Sequence, residues 1–570
     1  MPIELKTKTE LKTKTERNMN RNQTTSTKHY GTVPRSEIPR AKFPMPQTRK
    51  QAFDASELIP IMVEEVLPGD VWQHTEHTMA RFATPIAPVV DDCHLETFYF
   101  FNPNRIIMPT NSGKPWEDFI TGVTPDTLAR IVPGALSACV IPVGGVLDHM
   151  GLPPGTYTND IPINAYPVLG YVKIYNEWFR DQNLQNLWEW ANLWDDAQAT
   201  SDILDSDGQP WDQMPIRVNK RHDYFTASLP WPQKGDAVMM PLGSTAPVVV
   251  NPAAPSPNFL DNGNVAIGAL RATAGGVTTT FTSAASNTGA VKWSPTATGL
   301  MVDLAAATSA TINLMRLAVT TQQLLELDAR GGSRYVENLL AHWGVRSPDY
   351  RLQRPEYLGG SKIPITVNPI AQTAINYDPD TGTDATALGN LAAEMHASQS
   401  KKTFTYAATE HGYIIGVAVV RATPTYQQGV RRHWLREDRL DYPDPVFANI
   451  GEQAVDTREI YMPLDGTPGN PTWGYQERYG EMRVIPNEIT GVLRSTAPAP
   501  LDWWHYAEEF SNEPALNAEF ITDKTQETLA RSLATDTDTN WSAQVILDIQ
   551  HANTVARLLP TYGVPGLKRF

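Results

Sequence analysis

Short apolar runs alternate with turn residues along the chain from Phe53 onward. Residues 413–421 are rich in β-branched side chains, which is typical of a strand buried on both faces. Residues 545–549 alternate apolar and polar side chains, which predicts a strand covered on one face. Residues 95–108 predict a buried strand, a turn at Asn102 and Pro103, and a second extended segment. These patterns predict a mainly β protein.

Two segments predict helices within this β pattern. In residues 173–190, apolar side chains recur one helical turn apart. The second segment runs from about residue 312 to residue 327, breaks at Gly331 and Gly332, and resumes at residues 335–343. Helices that interrupt strands irregularly argue against a doubly wound α/β fold. The order of elements fits an eight-stranded jelly-roll β-sandwich with long loop insertions that contain a few helices.

Residues 236–310 differ from the rest of the chain. They are rich in Ala, Thr, Gly, Ser, Val and Pro, and their only charged residues are Asp236, Asp261, Arg271, Lys292 and Asp303. The segment is too long for an ordinary connection and too apolar for a typical linker. We therefore expect weak β structure that packs against copies of itself.

Proline and glycine are scattered between the apolar runs, with 46 and 37 residues respectively, which favours one heavily looped domain. We divide the chain into a basic, disordered arm, the first part of a jelly-roll domain, an insertion, and the remainder of the domain with an extended C-terminal arm. The bounds of these four parts are 1–50, 51–235, 236–310 and 311–570.

Charge is distributed unevenly along the sequence. Residues 1–50 carry twelve Lys or Arg and four acids, a net charge of +8; because the whole chain carries −15, residues 51–570 carry −23. The chain is thus a basic arm on an acidic body. The acidic body repels phosphates and does not neutralise nucleic acid by bulk charge.

The basic arm begins with an exact tandem duplication of LKTKTE at residues 5–10 and 11–16. Alternating Lys and Thr with little to bury predicts disorder. Translation from Met19 would omit the duplication, and the sequence does not decide between a start at Met1 and a start at Met19. The arm either contacts DNA inside an assembly or is a solvated tail; its nucleic-acid contact candidates are Lys6, Lys8, Lys12, Lys14, Arg17 and Arg21.

No apolar run approaches the roughly 20 residues that cross a bilayer, and the N-terminus lacks an apolar signal region. We expect a soluble protein made in a cytoplasm. Cys93 and Cys139 are the only cysteines and lack metal-ligand spacing, so buried free thiols are favoured over a disulfide.

Motifs for catalysis are absent from the sequence: it has no phosphate-binding GxxxxGK, no GxSxG and no HExxH. His74 and His77 lie in a segment that looks extended, which disfavours a metal site. Acidic residues that merit attention are expected to be solvated or ion-paired; they are Glu410, Asp456, Glu459, Glu477, Glu508 and Glu509. We predict no enzyme activity and no cofactor.

Basic residues lie beside aromatic ones in two places, residues 350–357 and 430–439. Cations along the backbone and rings against the bases are the features that hold single-stranded DNA. Subunit interfaces are enriched in the same residue types, and this interpretation is favoured. The nucleic-acid contact candidates here are Arg351, Arg354, Arg431, Arg432 and Trp434.

Several stretches of the chain are long and unusual in composition; they include YVKIYNEWFRDQNLQ at 171–185, YFTASLPWPQKG at 224–235, MPTNSGKPWEDFITG at 108–122, GVRSPDYRLQRPEYLGG at 344–360 and PTYGVPGLKRF at 560–570. Together they resemble the major capsid protein of the microviruses, small tailless single-stranded DNA bacteriophages, and in particular the gokushovirus branch. The resemblance covers the chain from about residue 55 to its end, except for residues 236–310. It implies a jelly-roll capsid subunit.

The resemblance implies 60 copies grouped as pentamers in a T=1 icosahedral shell around circular single-stranded DNA. It also implies a small basic DNA-condensing protein, a minor pilot-type viral protein and a host surface receptor, with assembly in the bacterial cytoplasm and residence in the virion. The insertion would form a surface protrusion at the threefold axes. Candidates for subunit interfaces are Trp178, Phe179, Trp231, Tyr562, Leu567 and Phe570.

The alternative interpretation is a carbohydrate-binding or carbohydrate-active β-sandwich, because surface aromatics also stack on sugars. A glycosidase would need two carboxylates about 5–10 Å apart in a cleft.

Overall fold

The computed structural model describes residues 40–107, 116–121, 130–131, 139–157, 163–190, 203–204, 211–239, 248–250, 258–260, 266–269, 292–293, 300–302, 312–374, 376–377, 384–386, 388–534 and 543–562. The chain divides into two compact units. The first comprises Met1–Thr226, Pro348–Gly429 and Pro486–Phe570, and the second comprises Ala227–Ser347 and Val430–Ile485.

Nine strands form two antiparallel sheets in the first unit. They are β1 (Ala41–Phe53), β2 (Ile59–Val66), β3 (Val71–Phe82), β4 (Cys93–Pro103), β5 (Glu356–Pro364), β6 (Thr366–Ala371), β7 (Leu391–Ala407), β8 (Gly412–Ala422) and β9 (Val545–Arg557). The five-stranded sheet has the order β1-β9-β3-β7-β6, and the four-stranded sheet has the order β5-β4-β8-β2.

The main hydrophobic core lies between these sheets. Trp72 and Leu547 from the five-stranded sheet share one buried cluster with Leu95, Tyr99 and Ile414 from the four-stranded sheet. Alternate residues of β3 and β9 are buried, as expected for strands covered on one face. The first unit is therefore an antiparallel β-sandwich, and the prediction of a mainly β fold is confirmed.

Successive strands alternate between the two sheets: β1 and β3 lie in one sheet, β2 and β4 in the other. Of the later strands, β7 and β9 lie beside β3, and β5 and β8 lie beside β4. This order is consistent with a jelly roll in which β6 is an additional edge strand.

Strand β8 is buried on both faces, as its sequence predicts. Ile414 and Ala418 face the core between the sheets, whereas Ile415 and Val417 belong to a second cluster on the other side. Gly416 has no room for a side chain, since a Cβ atom there would lie 2.7 Å from the ring of Tyr99.

Two predicted elements differ in the structure. After β4, the chain forms a short helix at Asn104–Ile107 instead of a second extended segment. The helix predicted at residues 173–190 begins earlier and ends earlier: α1 spans Tyr166–Ile174, and a π-helical turn follows at Tyr175–Phe179. It ends because the carboxylate of Asp181 accepts hydrogen bonds from the backbone N–H groups of Asn183 and Leu184, which form a turn.

The second unit contains α2 (Ile312–Arg330) and α3 (Tyr335–Trp343), which confirms the predicted pair of helices and the break between them. Gly332 has a φ of 91° at this break, a conformation that favours glycine. Further α-helices among the described residues of the first unit are Trp116–Thr121, Val146–Met150, Ala518–Ile521 and Thr525–Ala530. Among the described residues, no helix is long and apolar enough to cross a membrane.

Short antiparallel ladders complete the described structure. Those in the first unit pair Arg130–Ile131 with Ile163–Asn164, Cys139–Ile141 with Gly155–Tyr157, Glu189–Trp190 with Ile203–Leu204, and Asn376–Tyr377 with Asp384–Thr386. Those in the second pair Val248–Val250 with Leu300–Val302, Asn258–Leu260 with Ala266–Ala269 and Lys292–Trp293, and Gln453–Asp456 with Thr472–Gln476. Weak β structure within 236–310 is thus confirmed where that segment is described.

All four edge strands of the sandwich carry proline. Proline has no backbone N–H, so it is tolerated at the edge of a sheet and it prevents another strand from pairing there. Among the five central strands, the one proline is Pro103, the last residue of β4. The edge prolines are Pro44 and Pro46 in β1, Pro60 in β2, Pro364 in β5 and Pro369 in β6.

Two hydrogen bonds join the two sheets at a bulge in β2. The ladder between β2 and β8 shifts register between Pro60 and Met62. The carbonyl of Ile61 there accepts a hydrogen bond from Nε2 of His551 in β9 at 2.9 Å, and the Pro60 carbonyl accepts one from Gln51 in β1 at 2.8 Å. The bulge therefore turns backbone carbonyls toward donors of the opposite sheet.

The hydrogen bond to Ile61 fixes which ring nitrogens of two buried histidines donate and which accept. Because His551 donates through Nε2, its Nδ1 is an acceptor, and it lies 3.1 Å from Nε2 of His74. Nδ1 of His74 has no hydrogen-bond partner among the described residues. Burial, assisted by the other imidazole, lowers the pKa of His74 to about 3, and burial lowers the pKa of His551 to about 4.

We predict that the subunit loses stability as the pH falls below the usual histidine pKa of about 6.5. Both folded-state pKa values are depressed, so the unfolded chain binds more protons and stability decreases with acidification. Between pH 7 and pH 5 the free energy of unfolding should fall by about 2 kcal/mol for each histidine. Denaturant titration of the unassembled subunit at several pH values measures this.

The variant His74→Phe retains an aromatic ring against Phe404 and removes one titrating group. Its loss of stability between pH 7 and pH 5 should be smaller than that of the parent chain by about 2 kcal/mol, the contribution of one histidine. His77→Gln is the matched control, because His77 lies exposed on the opposite face of β3. Equal slopes for all three proteins would contradict the assignment.

Candidate functional site

Many large apolar side chains of the second unit are exposed. Ile312 and Leu317 in α2 are 67% and 64% exposed, Trp343 in α3 is 75% exposed, and Trp434 in the 3-10 turn Arg432–Leu435 is 76% exposed. Monomeric soluble proteins rarely keep apolar patches of more than a few hundred Å² in contact with water. These residues therefore indicate a surface that binds another macromolecule.

Helix α2 is held in its unit through its C-terminal half. The backbone N–H of Lys234 donates to the carbonyl of Leu325 at 3.2 Å, and the side-chain amide of Gln322 donates to Gln233. Asp328 lies 2.8 Å from Nε2 of His342, which fixes α2 against α3. These contacts hold the C-terminal half of α2 in its unit, while several apolar side chains of the helix stay exposed.

The second unit also contains several ion pairs. Arg432 pairs with Glu459 at 3.0 Å, and Arg330 donates to Glu452 at 2.8 Å. Burial raises the pKa of Glu459 although Arg432 opposes the shift. The guanidinium of Arg432 is therefore compensated within its own chain. Arg431 directly precedes the 3-10 turn Arg432–Leu435, on which Trp434 is exposed.

The other predicted basic cluster belongs to the first unit, where Arg354 lies over the ring of Trp178 at 4.5 Å from its centroid. The same guanidinium pairs with Asp349 at 2.7 Å, so its charge is also compensated. Arg351 is exposed, and no carboxylate of the described residues lies within ion-pair distance. Tyr350 beside it is about half exposed.

The predicted interface residues differ in exposure. Trp178 and Phe179 are half-buried against the second hydrophobic cluster, where Trp178 donates to the carbonyl of Pro355 at 3.1 Å. Trp231 is half-buried, and Tyr562 is 81% exposed. The remaining candidates lie outside the described residues; they are Leu567, Phe570, Lys6, Lys8, Lys12, Lys14, Arg17 and Arg21.

The acidic residues considered from the sequence are largely ion-paired, as expected. Glu410 pairs with Arg105 at 3.0 Å, and the buried Glu508 pairs with Lys220 at 2.7 Å. Burial raises the pKa of Glu508, although Lys220 opposes the shift. Asp456 pairs with Arg458 and Glu477 with Arg330 and Arg483. These pairs are structural contacts and do not form a cleft with two free carboxylates.

The histidines and the cysteine that the sequence singled out lie apart from one another in the described structure. His74 is buried and His77 exposed on opposite faces of β3, so they do not converge. Cys93 is a buried free thiol at the start of β4, and burial raises its pKa. Within the part of the chain that the structure describes, no group of three His, Cys, Asp or Glu side chains is placed to hold a metal ion.

The exposed surface of α2 is the feature that sequence reasoning missed. The apolar spacing predicts the helix and places its leucines on one face, but it does not reveal what covers that face. A signal was present: residues 312–323 contain a single charge, Arg316, although amphipathic surface helices normally carry a charged face.

Known capsid proteins match this chain along almost its entire length. The family described as capsid protein (F protein) matches residues 31–567. The chain is 39% identical over 551 residues to capsid protein VP1 of Bdellovibrio phage phiMH2K, a match that covers 94% of this chain and 97% of that protein.

Two further relatives have the same name. Capsid protein VP1 of Chlamydia phage 1 is 35% identical over 606 residues, which cover 95% of this chain and 98% of that protein. Capsid protein VP1 of Spiroplasma virus 4 is 34% identical over 559 residues, with 94% and 96% covered. The chain belongs to the capsid protein (F protein) family.

Proposed function

We propose that this chain is the major subunit of a T=1 icosahedral shell, with 60 copies grouped as pentamers around a circular single-stranded DNA genome. The observation that supports the proposal is the exposed apolar surface of α2, α3 and the segment around Trp434. A closed shell buries such surfaces in repeated contacts, and together these contacts are cooperative. The subunit would be assembled in the bacterial cytoplasm and reside in the virion.

The charge of the chain bears on how such a shell holds DNA. Residues 51–570 carry a net charge of −23, the difference between −15 for the chain and +8 for residues 1–50. Since an acidic wall repels phosphates, another component must condense the genome. We propose a small basic viral protein for this role, and a minor pilot-type protein as a further partner.

Electron microscopy of the purified chain tests the proposed shell. We expect uniform small icosahedral particles, because the exposed apolar surfaces are satisfied only in a closed assembly. The same assay with a chain that lacks residues 567–570 tests the predicted C-terminal contacts of Leu567 and Phe570, and should yield fewer particles. A preparation that contains only dispersed monomers under all assembly conditions would contradict the proposal.

Among the predicted nucleic-acid contacts, Arg351 is the best placed of the described residues. Arg354 and Arg432 have carboxylate partners, whereas Arg351 is exposed beside the exposed ring of Tyr350. A cation next to a ring can bind a phosphate while the ring stacks on a base. We propose that Arg351 and Tyr350 contact single-stranded DNA; the other candidates, including Arg431 and Trp434, stay predictions.

Binding of a labelled single-stranded oligonucleotide at several salt concentrations tests this contact. Arg351→Gln should weaken binding and reduce the slope of log affinity against log salt by about 0.7, the value for one phosphate contact. The matched control is Arg81→Gln, an exposed arginine of β3 that lies 3.6 Å from Glu394. If both variants bound DNA like the parent chain, Arg351 would not be a contact.

We also propose that the insertion, residues 236–310, forms a threefold surface protrusion used in host attachment. Its length and its low charge support a role other than connecting two elements. Shells assembled from a chain without residues 240–305 should form normally but adsorb poorly to host cells. Normal adsorption of such shells would exclude the receptor role.

A further inference from the structure

Lys220 and Glu508 form a pair that is almost completely removed from water. Nζ of Lys220 donates to Oε2 of Glu508 at 2.7 Å, and the two side chains are 1% and 10% exposed. By contrast, the side chains of the pair Lys50–Asp548 are 73% and 46% exposed. Removing two ions from water is costly, whereas a neutral amine beside a neutral acid avoids most of that cost.

The surroundings of the pair are aromatic. Nζ of Lys220 lies 4.0 Å from the centroid of the Phe520 ring and 5.6 Å from that of the Tyr426 ring. Phe225 packs edge-on against Tyr426 at 5.2 Å between centroids, and Phe510 stacks on Tyr426 at 6.2 Å. These rings occupy the space in which water would otherwise solvate the amine.

A second carboxyl group, that of Asp523, lies near the pair. It is 3% exposed and accepts a hydrogen bond from the hydroxyl of Ser56 at 2.6 Å. Its charge influences Glu508, and the charge of Lys220 influences it in turn. Burial raises the pKa of both carboxyl groups, which favours their protonated forms. A protonated carboxyl is the form that an amine attacks, and a neighbouring carboxyl can transfer protons during the attack.

Backbone hydrogen bonds hold both reacting residues in place. The N–H of Lys220 donates to the carbonyl of Ile521 at 2.8 Å, and the N–H of Glu508 donates to the carbonyl of Thr425 at 2.9 Å. Oε2 of Glu508, the atom that Nζ contacts, is one bond from the carboxyl carbon. Reacting atoms held about 3–3.5 Å apart are already in a near-attack geometry.

We propose that Lys220 and Glu508 react within the folded subunit to form an amide bond between their side chains. The ammonium first gives a proton to the carboxylate, which leaves a neutral amine and a neutral acid. The lone pair of Nζ then attacks Cδ of Glu508, so that a C–N bond forms and the C–OH bond breaks. Asp523 transfers one amine proton to the departing hydroxyl, which leaves as water. No atom is oxidised or reduced, and no co-reactant is consumed.

The bond would fix a long connection of the first unit. Residues 486–517, which include Glu508, contain the 3-10 turns Gly491–Leu493 and Asp502–Trp504 but no strand in the described structure. An amide to Lys220 would close a large loop of the chain covalently. Such a closure restricts the unfolded chain and thereby stabilises the fold.

Mass spectrometry of the denatured full chain tests the bond directly. The intact chain should be lighter than its sequence requires by one water molecule. Trypsin should not cut after Lys220, and the digest should contain a branched peptide that includes both Lys220 and Glu508. Lys50 should appear in an ordinary linear peptide, because its exposed pair with Asp548 stays ionic.

Three variants separate the chemistry from packing. Lys220→Arg keeps a cation opposite Glu508, but a guanidinium stays charged and does not attack, so this chain should have the full mass of its sequence and a lower melting temperature. Asp523→Asn removes the proton transfer and should lower the fraction of chains that carry the bond. Glu509→Gln is the matched control: Glu509 is exposed beside Glu508, and this chain should form the bond like the parent.

Each result bears on a different part of the inference. A parent chain with its full mass and two separate peptides would show that the pair stays ionic, and the inference would be wrong. Loss of one water in the Lys220→Arg chain as well would contradict the assignment to Lys220. An unchanged yield in Asp523→Asn would exclude Asp523 as the proton carrier. None of these measurements requires shell formation, so a failure of the proposed capsid function would leave the inference standing.

Discussion

The burial of β8 on both faces is the constraint on which the first unit depends. One face of the strand closes the core between the two sheets, and the other face is covered by α1 through Tyr171 and Ile174. Each fully buried Ile or Val side chain contributes about 1.5–3 kcal/mol, so a strand with two apolar faces requires covering layers on both sides. The position of α1 follows from this requirement.

The edges of the same sandwich show a different constraint. Pro44, Pro46 and Pro369 lie on the outer strands of the five-stranded sheet, and Pro60 and Pro364 lie on those of the four-stranded sheet. A protein that assembles from many copies meets sheet edges at high local concentration, where strand addition leads to aggregation. Contacts between copies that avoid the sheet edges use side-chain surfaces, and the proposed shell uses the exposed apolar side chains of the second unit in this way.

The sequence predicts those elements whose signals are local. The β-branched run of β8, the alternation in β9 and the break at Gly331 and Gly332 each depend on a few neighbouring residues, and the structure confirms them. The end of α1 was predicted wrongly because the side chain of Asp181 captures backbone N–H groups, which apolar periodicity does not reveal. The resemblance to microvirus capsid proteins is confirmed by the family match, as is the prediction that the chain is not an enzyme.

The candidate contacts were harder to predict because they depend on partners distant in sequence. Arg354 and Arg432 look like free cations beside aromatic rings until Asp349 and Glu459 are seen to compensate them. Arg351, three residues from Arg354, has the same sequence environment but no such partner in the described structure. A run of basic and aromatic residues therefore identifies candidate nucleic-acid contacts. Ion pairing within the fold then decides which of their cations is available to a phosphate. By the same reasoning, the low charge of residues 312–323 in α2 is informative, because Arg316 is their one charged residue while several of their apolar side chains are exposed.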